Sequence, residues 1–561
     1  MKGRAVVIVL ALAAVVAAVV FASGAGKSGG GSATTTGAAK PAGDAVRVSF
    51  AYSPEKEPLL KPLIEAFNRE GNQSGGKPVF VTGSVVSSGE AETKIAAGKL
   101  KPILWSPASS LWGRLLNEQA DQAWVDQDNP SIVRTPLVIA MWEPLARALG
   151  WPAKQVSFDQ ILALAVDQKG WAAYGKPQFG QFKLGHTNPD FSTSGLSAVA
   201  AEYYAATGKL EGLTVADIER PEVRRKIQAI ERSIVHYGDT TLFFADQLKR
   251  FGPAYASAVA MEEVTLIDFN RGRRGTKLIG LYPREGTFFS DNPLILLRAP
   301  WVSPQQREAA GVFGRWLKGK VTPQLAARNG FRSGDVNVKP LPPVSAAFGA
   351  DPAQPVRVLS LPEPKVLARI KSAWREDRKP ANVMLVVDTS GSMSEEGKLD
   401  EAKRGLQVFF GQLSPKDRIG MIAFNSEVFQ VAPVTPYGTG GAKLRAAVRD
   451  LFPDGQTAVY DATDAGLTAI QRLRDPTRIN AVVVLTDGED NQSSLRVGEV
   501  VAKLRRQARS EGLTVRVYTI AYGSQANKAA LSAMAVASGG KAFEGDPKEI
   551  ESVYRSISSF F

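Results

Sequence analysis

The sequence predicts an α/β protein of two domains in series, the second a doubly wound, mainly parallel sheet. Three observations predict it. Short apolar runs alternate with amphipathic helical patterns from about residue 45 to the end. At 561 residues the chain is longer than one hydrophobic core usually supports. Residues 341–364 are dense in proline and divide the alternation into two parts.

The C-terminal part is organised around residues 382–394, NVMLVVDTSGSMS. The valine-rich run 382–387 has the pattern of a central parallel strand covered on both faces. Asp388 ends it, and Asp388, Ser390 and Ser392 form D-x-S-x-S on a turn that Gly391 makes tight. One carboxylate and two hydroxyls are hard oxygen donors, suited to a small divalent cation that keeps some of its waters. A transition metal would be expected to recruit His or Cys. Two further loops carry oxygen: Thr457 just before a helical pattern at 459–473, and Thr486-Asp487-Gly488 after a second buried strand at 480–485. In a doubly wound sheet, loops leaving the C-terminal ends of neighbouring strands converge on one crevice.

The order D-x-S-x-S, threonine loop, T-D-G, set between alternating strands and helices, resembles the von Willebrand factor A (VWA) domain over roughly residues 379–561. The resemblance implies a Rossmann-like fold. It also implies a metal-ion-dependent adhesion site at Asp388, Ser390, Ser392, Thr457 and Asp487, with no substitution at any of the five. Mg2+ or Mn2+ would be held directly by the serines, with threonine and aspartates bound directly or through water. One metal position would stay open for an Asp or Glu of a protein partner.

Composition narrows the alternatives. The absence of cysteine removes disulfides, thiolate chemistry and a lipid-modified cysteine. Two histidines, His186 and His236, disfavour a histidine-based zinc site. Of 68 basic and 55 acidic side chains, 22 and 21 fall in residues 379–561, so 12 of the 13 excess positive charges lie N-terminal to them. With no arginine-rich helix or aromatic-interleaved basic motif, that excess reads as a surface suited to anionic lipid, cell wall or acidic ligands, not as a nucleic-acid interface.

Lys2 and Arg4 precede an apolar run at 5–22, so residues 1–25 read as a transmembrane anchor or a signal peptide. Uncleaved, the chain is held in the membrane by a single N-terminal anchor with its bulk extracytoplasmic; cleaved, it is secreted. Residues 26–44 are a Gly/Ser/Thr tether.

Residues 45–340 form the first domain. Strands are expected at 46–52 and 79–83, and helices at 57–69, 90–99, 307–317 and 324–330. The apolar stretches 132–142 and 294–299 are of the kind that cross between lobes. This organisation resembles the two-lobed periplasmic substrate-binding proteins of the molybdate- or phosphate-receptor type. The strongest local likeness is at 183–201, KLGHTNPDFSTSGLSAVAA, a strand leading into Asp190, Ser192, Thr193 and Ser194, with Gly195 opening a helix. Exposed amides, a positive helix end and these hydroxyls suit a small oxyanion or carboxylate, which Ser87 and Ser88 could face from the other lobe. The same hydroxyls also suit helix capping, and Asp190 opposes an anion unless it points away.

Residues 341–378 are read as a Pro-rich connector and an amphipathic helix at 365–378, and residues 379–561 as the VWA domain, with further strands at 418–424, 428–435 (edge-like) and 514–521 and a closing helix at 548–557. No bond-making chemistry is implied. His186 lies near the serines without an acid arranged for a nucleophile, and the loop at Asp388 lacks the second aspartate that dehalogenase-type phosphatases use. The expected function is a bacterial surface protein that binds an acidic residue of a protein partner through its metal. The alternative is a receptor for a small oxyanion or metabolite that serves a transporter or signalling partner.

Overall fold

The computed structural model describes residues 41, 43–508, 513–547 and 549–561. The expected anchor or signal peptide and most of the tether lie outside the described residues. No helix among the described residues is long and apolar enough to cross a membrane.

The chain begins with a parallel sheet of β1 (Val46–Tyr52), β2 (Lys77–Val85) and β3 (Leu104–Ser106), with helices α1 (Glu57–Glu70), α2 (Ser88–Ala96) and α3 (Leu111–Ala120). Leu59, Leu60, Ile64 and Phe67 recur at helical spacing along α1 and are buried, which is why that segment is a helix. A second sheet follows, from β4 (Val133–Trp142), β5 (Leu184–Thr187), β6 (Ile234–Gly238), β7 (Ala258–Glu262) and β8 (Leu278–Leu281). Helices α4 (Thr193–Thr207), α5 (Pro221–Arg232) and α6 (Thr241–Phe251) belong to this lobe. The chain then returns to the first sheet through β9 (Ile295–Leu296), antiparallel to β3, and α7 (Pro304–Lys320). The stretches expected to cross between lobes thus hold one strand of each lobe.

Two helix starts differ from expectation. Helix α2 begins at Ser88 and α4 at Thr193, because Ser87 and Ser192 take the extended conformation of an N-cap. Gly195 does not open its helix. A Cβ there would lie 2.0 Å from the Thr187 carbonyl, so glycine is what lets α4 lie against the end of β5.

The connector helix α8 (Pro364–Asp377) leads into the third sheet. Its strands are β10 (Ala381–Asp388), β11 (Arg418–Phe424), β12 (Val428–Pro436), β13 (Ile479–Thr486), β14 (Val515–Tyr522) and β15 (Ala542–Gly545), in the order β12-β11-β10-β13-β14-β15. All neighbours are parallel except β12, the half-exposed edge. Every residue of β10, β13 and β14 is buried, as continuous apolar runs require. Strand alternation divides β10 between two helix layers. Met384 and Val386 pack with Leu467 and Ile470 of α10 (Val459–Arg472), whereas Val383, Leu385 and Val387 join the cluster holding Leu406 and Phe409 of α9 (Lys398–Phe410). The closing helix α11 (Ile550–Ser558) lies beside α9, and Phe560 beyond it meets both Tyr518 of β14 and Phe243 of α6.

Candidate metal site and interlobe cleft

The order of the third sheet reverses between β10 and β13, the first and fourth strands in sequence, and a crevice opens beyond their C-terminal ends. Asp388 is the last residue of β10 and Asp487 follows β13 directly. Asp388 is fully buried; Oδ1 accepts the Ser390 N–H at 2.7 Å and Oδ2 accepts the Thr486 hydroxyl. The Ser390 and Ser392 hydroxyls are 3.1 Å apart, and Ser392 Oγ donates to Asp487 Oδ1 at 2.7 Å. Thr457 is placed by Asn491, whose Oδ1 accepts the Thr457 N–H at 2.9 Å and whose N–H donates to the Thr457 carbonyl at 3.0 Å. A Cβ built on Gly488 would lie 3.4 Å from Thr457 Oγ1 and 4.0 Å from Ser392 Oγ, so both hydroxyls border one point beside Asp487. The structure therefore brings all five sequence-predicted residues together.

Gly391 makes the turn possible for a reason other than left-handed backbone. Its N–H donates to the Gly455 carbonyl at 3.0 Å, and a Cβ there would crowd the same oxygen at 3.3 Å. With the Asp454 N–H on the Thr389 carbonyl at 2.8 Å, this stitches the serine loop to the threonine loop.

The donor set is all hard oxygen. Burial pushes the Asp388 carboxyl up to about 6, and its hydrogen-bond partners are neutral. A buried carboxylate with only neutral donors around it is suited to a cation, so these residues fit Mg2+ or Mn2+. The sequence reading placed Thr486 in an oxygen-bearing loop without its role of fixing Asp388, and it missed Lys398, whose ammonium is 2.8 Å from Asp487 Oδ2. Burial pulls that ammonium's pKa down, but Asp487 and Glu395 more than offset this and raise it.

In the first two sheets the candidate ligand residues separate. Ser87, Ser88, Ser192 and Thr193 line the cleft between the lobes, with Glu55, Asp239 and Glu262. Ser194 does not; its buried hydroxyl lies behind them, 2.8 Å from Thr187 Oγ1 and 3.1 Å from Ser192 Oγ. Neither Ser87 nor Ser192 caps its helix with its side chain, so capping does not occupy these hydroxyls. Of the three lining carboxylates, Asp239 is paired with Lys541 and Glu55 lies 3.3 Å from the Lys56 ammonium. Glu262 is pushed up to about 7 by burial and by Glu55, and the nearby Lys56 ammonium is committed to Asn292 Oδ1 at 2.7 Å and the Pro107 carbonyl at 3.2 Å. The free space is about 20 Å3, room for one water. Two bonds close the cleft: Trp112 Nε1 donates to Thr193 Oγ1 at 2.7 Å, and the Gly89 N–H donates to the Phe191 carbonyl at 2.9 Å.

His186 has an acid partner after all, in Glu231 at 3.1 Å. Its other ring nitrogen is 2.8 Å from the Thr187 carbonyl, so neither nitrogen is left for a serine.

Residues 48–332, about half of the chain, match the family of bacterial extracellular solute-binding proteins. The chain belongs to that family. Residues 382–554 match the von Willebrand factor type A domain, so this solute-binding protein carries a VWA domain behind its two lobes. One similar protein matches over most of the chain: Uncharacterized protein Rv1836c of Mycobacterium tuberculosis is 24% identical over 533 residues, covering 90% of this chain and 75% of the relative. The Mus musculus Calcium-activated chloride channel regulator 3A-1 is 28% identical over 146 residues, 25% of this chain and 15% of that protein. Among solved structures, a periplasmic thiamin binding protein covers 61% of this chain and 98% of its own, at 9% identity and a TM-score of 0.44.

Proposed function

We propose that the chain is a bacterial cell-surface binding protein whose VWA domain holds Mg2+ or Mn2+ and, through it, an acidic residue of a protein partner. The observation that carries this is the convergence of Asp388, Ser390, Ser392, Thr457 and Asp487 at the point where the strand order reverses. When bound, the cation supplies a concentrated positive charge to which a carboxylate binds. The chain's own residues do the rest. Asp388 and Thr486 fix the serine loop, Asn491 fixes Thr457, and the partly exposed Ser392 leaves the site open to solvent. On this reading the protein performs no bond-making chemistry, takes no nucleic acid, and is tethered to the membrane by its N-terminal segment, or secreted if that segment is cleaved.

The test is capture of surface and secreted proteins from the source cell by the purified chain. Partners retained in Mg2+, and lost both with chelator and with Asp388→Ala, are expected; chelator-insensitive capture by Asp388→Ala would sink the reading. The receptor reading comes second, supported by the uncapped Ser87 and Ser192 hydroxyls in the cleft. It requires the lobes to part, because the space between them fits one water.

A further inference from the structure

Lys398 is the first residue of α9, and its side chain, 9% exposed, turns back towards the cation site. Its ammonium donates to Asp487 Oδ2 at 2.8 Å and sits 3.4 Å from the Ser392 carbonyl and 3.3 Å from Glu395. Its backbone is anchored as well, since the Tyr522 hydroxyl donates to the Lys398 carbonyl at 2.9 Å from the buried strand β14. Ser392 takes the other oxygen of Asp487, so the lysine is in place on an otherwise satisfied carboxylate.

We propose that Lys398 is a built-in counter-charge that sets the site's specificity: it weakens the hold on the divalent cation and strengthens the hold of the loaded site on an acidic ligand. The inference rests on the metal-dependent reading above. Two carboxylates, Asp388 and Asp487, face the site; Lys398 reduces their combined charge from two negatives to one, while Glu395 on its outer side is mostly exposed and screened by solvent. A divalent cation added to two carboxylates alone gives a neutral site. Added beside Lys398 it leaves one net positive charge, which favours a carboxylate from outside. Removing the lysine charge therefore moves the two affinities in opposite directions. A structural role alone would weaken both together.

The experiment uses Mn2+ as the metal probe and acetate as the carboxylate probe, read by water-proton relaxation and calorimetry on the full chain. Lys398→Met should bind Mn2+ about tenfold more tightly or better, while acetate displaces less water from its bound Mn2+ than in the wild type. Lys398→Arg keeps the charge and should restore both wild-type values; if the Met variant fails to fold, Lys398→Gln takes its place beside Arg. Mn2+ affinity unchanged or weakened in the neutral variants, with Asp388-dependent binding intact in the wild type, overturns the inference alone. Absence of Mn2+ binding by the wild type overturns the inference together with the reading beneath it.

Discussion

Arg375 holds both carboxylate oxygens of Asp190, at 2.7 and 2.6 Å, across 185 residues of sequence. This is how a carboxylate comes to stand beside the candidate ligand loop: it faces the connector helix α8. Lys371, one turn earlier, lies 3.6 Å from the same Asp190 and 5.3 Å from the ring of Trp112 in the other lobe. The helix leading into the VWA domain thus touches both lobes beside the bonds that close the cleft.

Reversing that contact should loosen the cleft. Arg375 is more than half exposed, so Arg375→Ala is expected to cost only about 1 kcal/mol of stability. Arg375→Glu sets like charges together and should raise hydrogen exchange in α8 and around Phe191, measured by mass spectrometry. Unchanged exchange there would mean that α8 does not hold the lobes.

Phe560 joins the VWA domain to the second lobe, with ring centroids 4.8 Å from Tyr518 and 5.1 Å from Phe243. Phe560→Ala should remove roughly 3–5 kcal/mol of packing. By calorimetry the wild type should melt in a single main transition and the variant in two, as the domains uncouple.

Glu202 links stability to pH. It is buried, Oε2 has no hydrogen-bond partner, and burial with Glu231 pushes its carboxyl up to about 8, against 4.5 ordinarily. A folded value above the unfolded one stabilises below about 4.5, and that contribution is lost as pH rises through about 8. Glu202→Gln, which keeps the neutral shape, should flatten the decline in urea stability across this window, a difference on the order of 3–5 kcal/mol.

Gly488→Ala places a methyl group between Thr457 Oγ1 and Ser392 Oγ. Cation affinity should fall at least about tenfold while stability changes by under about 0.5 kcal/mol. Calorimetric titration with Mn2+ beside a thermal melt separates the two effects.

Much of the third sheet was legible because β10 and β13 are continuous apolar runs that end in oxygen-bearing residues, and parallel strands carry such ends to one crevice. The same periodicity located α1 and the half-exposed edge β12. It could not supply pairs made by folding alone. Lys398 reaches Asp487 across 89 residues and Glu231 reaches His186 across 45, and no local pattern records either. Ser194 was misplaced for a related reason: three consecutive hydroxyls look alike in sequence, whereas in the fold Ser192 and Thr193 line the cleft and Ser194 lies behind them, bonded to Thr187 and Ser192. The carboxylates of the cleft were hidden because Glu55, Asp239 and Glu262 lie in three separate segments.

The most direct measurement is calorimetric titration of the full chain with Mn2+, for the wild type, Asp388→Ala and Thr457→Val. One chelator-reversible site is expected in the wild type, and its loss in both variants with circular dichroism unchanged. Binding that survives in Asp388→Ala and Thr457→Val, or a wild type that binds no Mn2+, would contradict it.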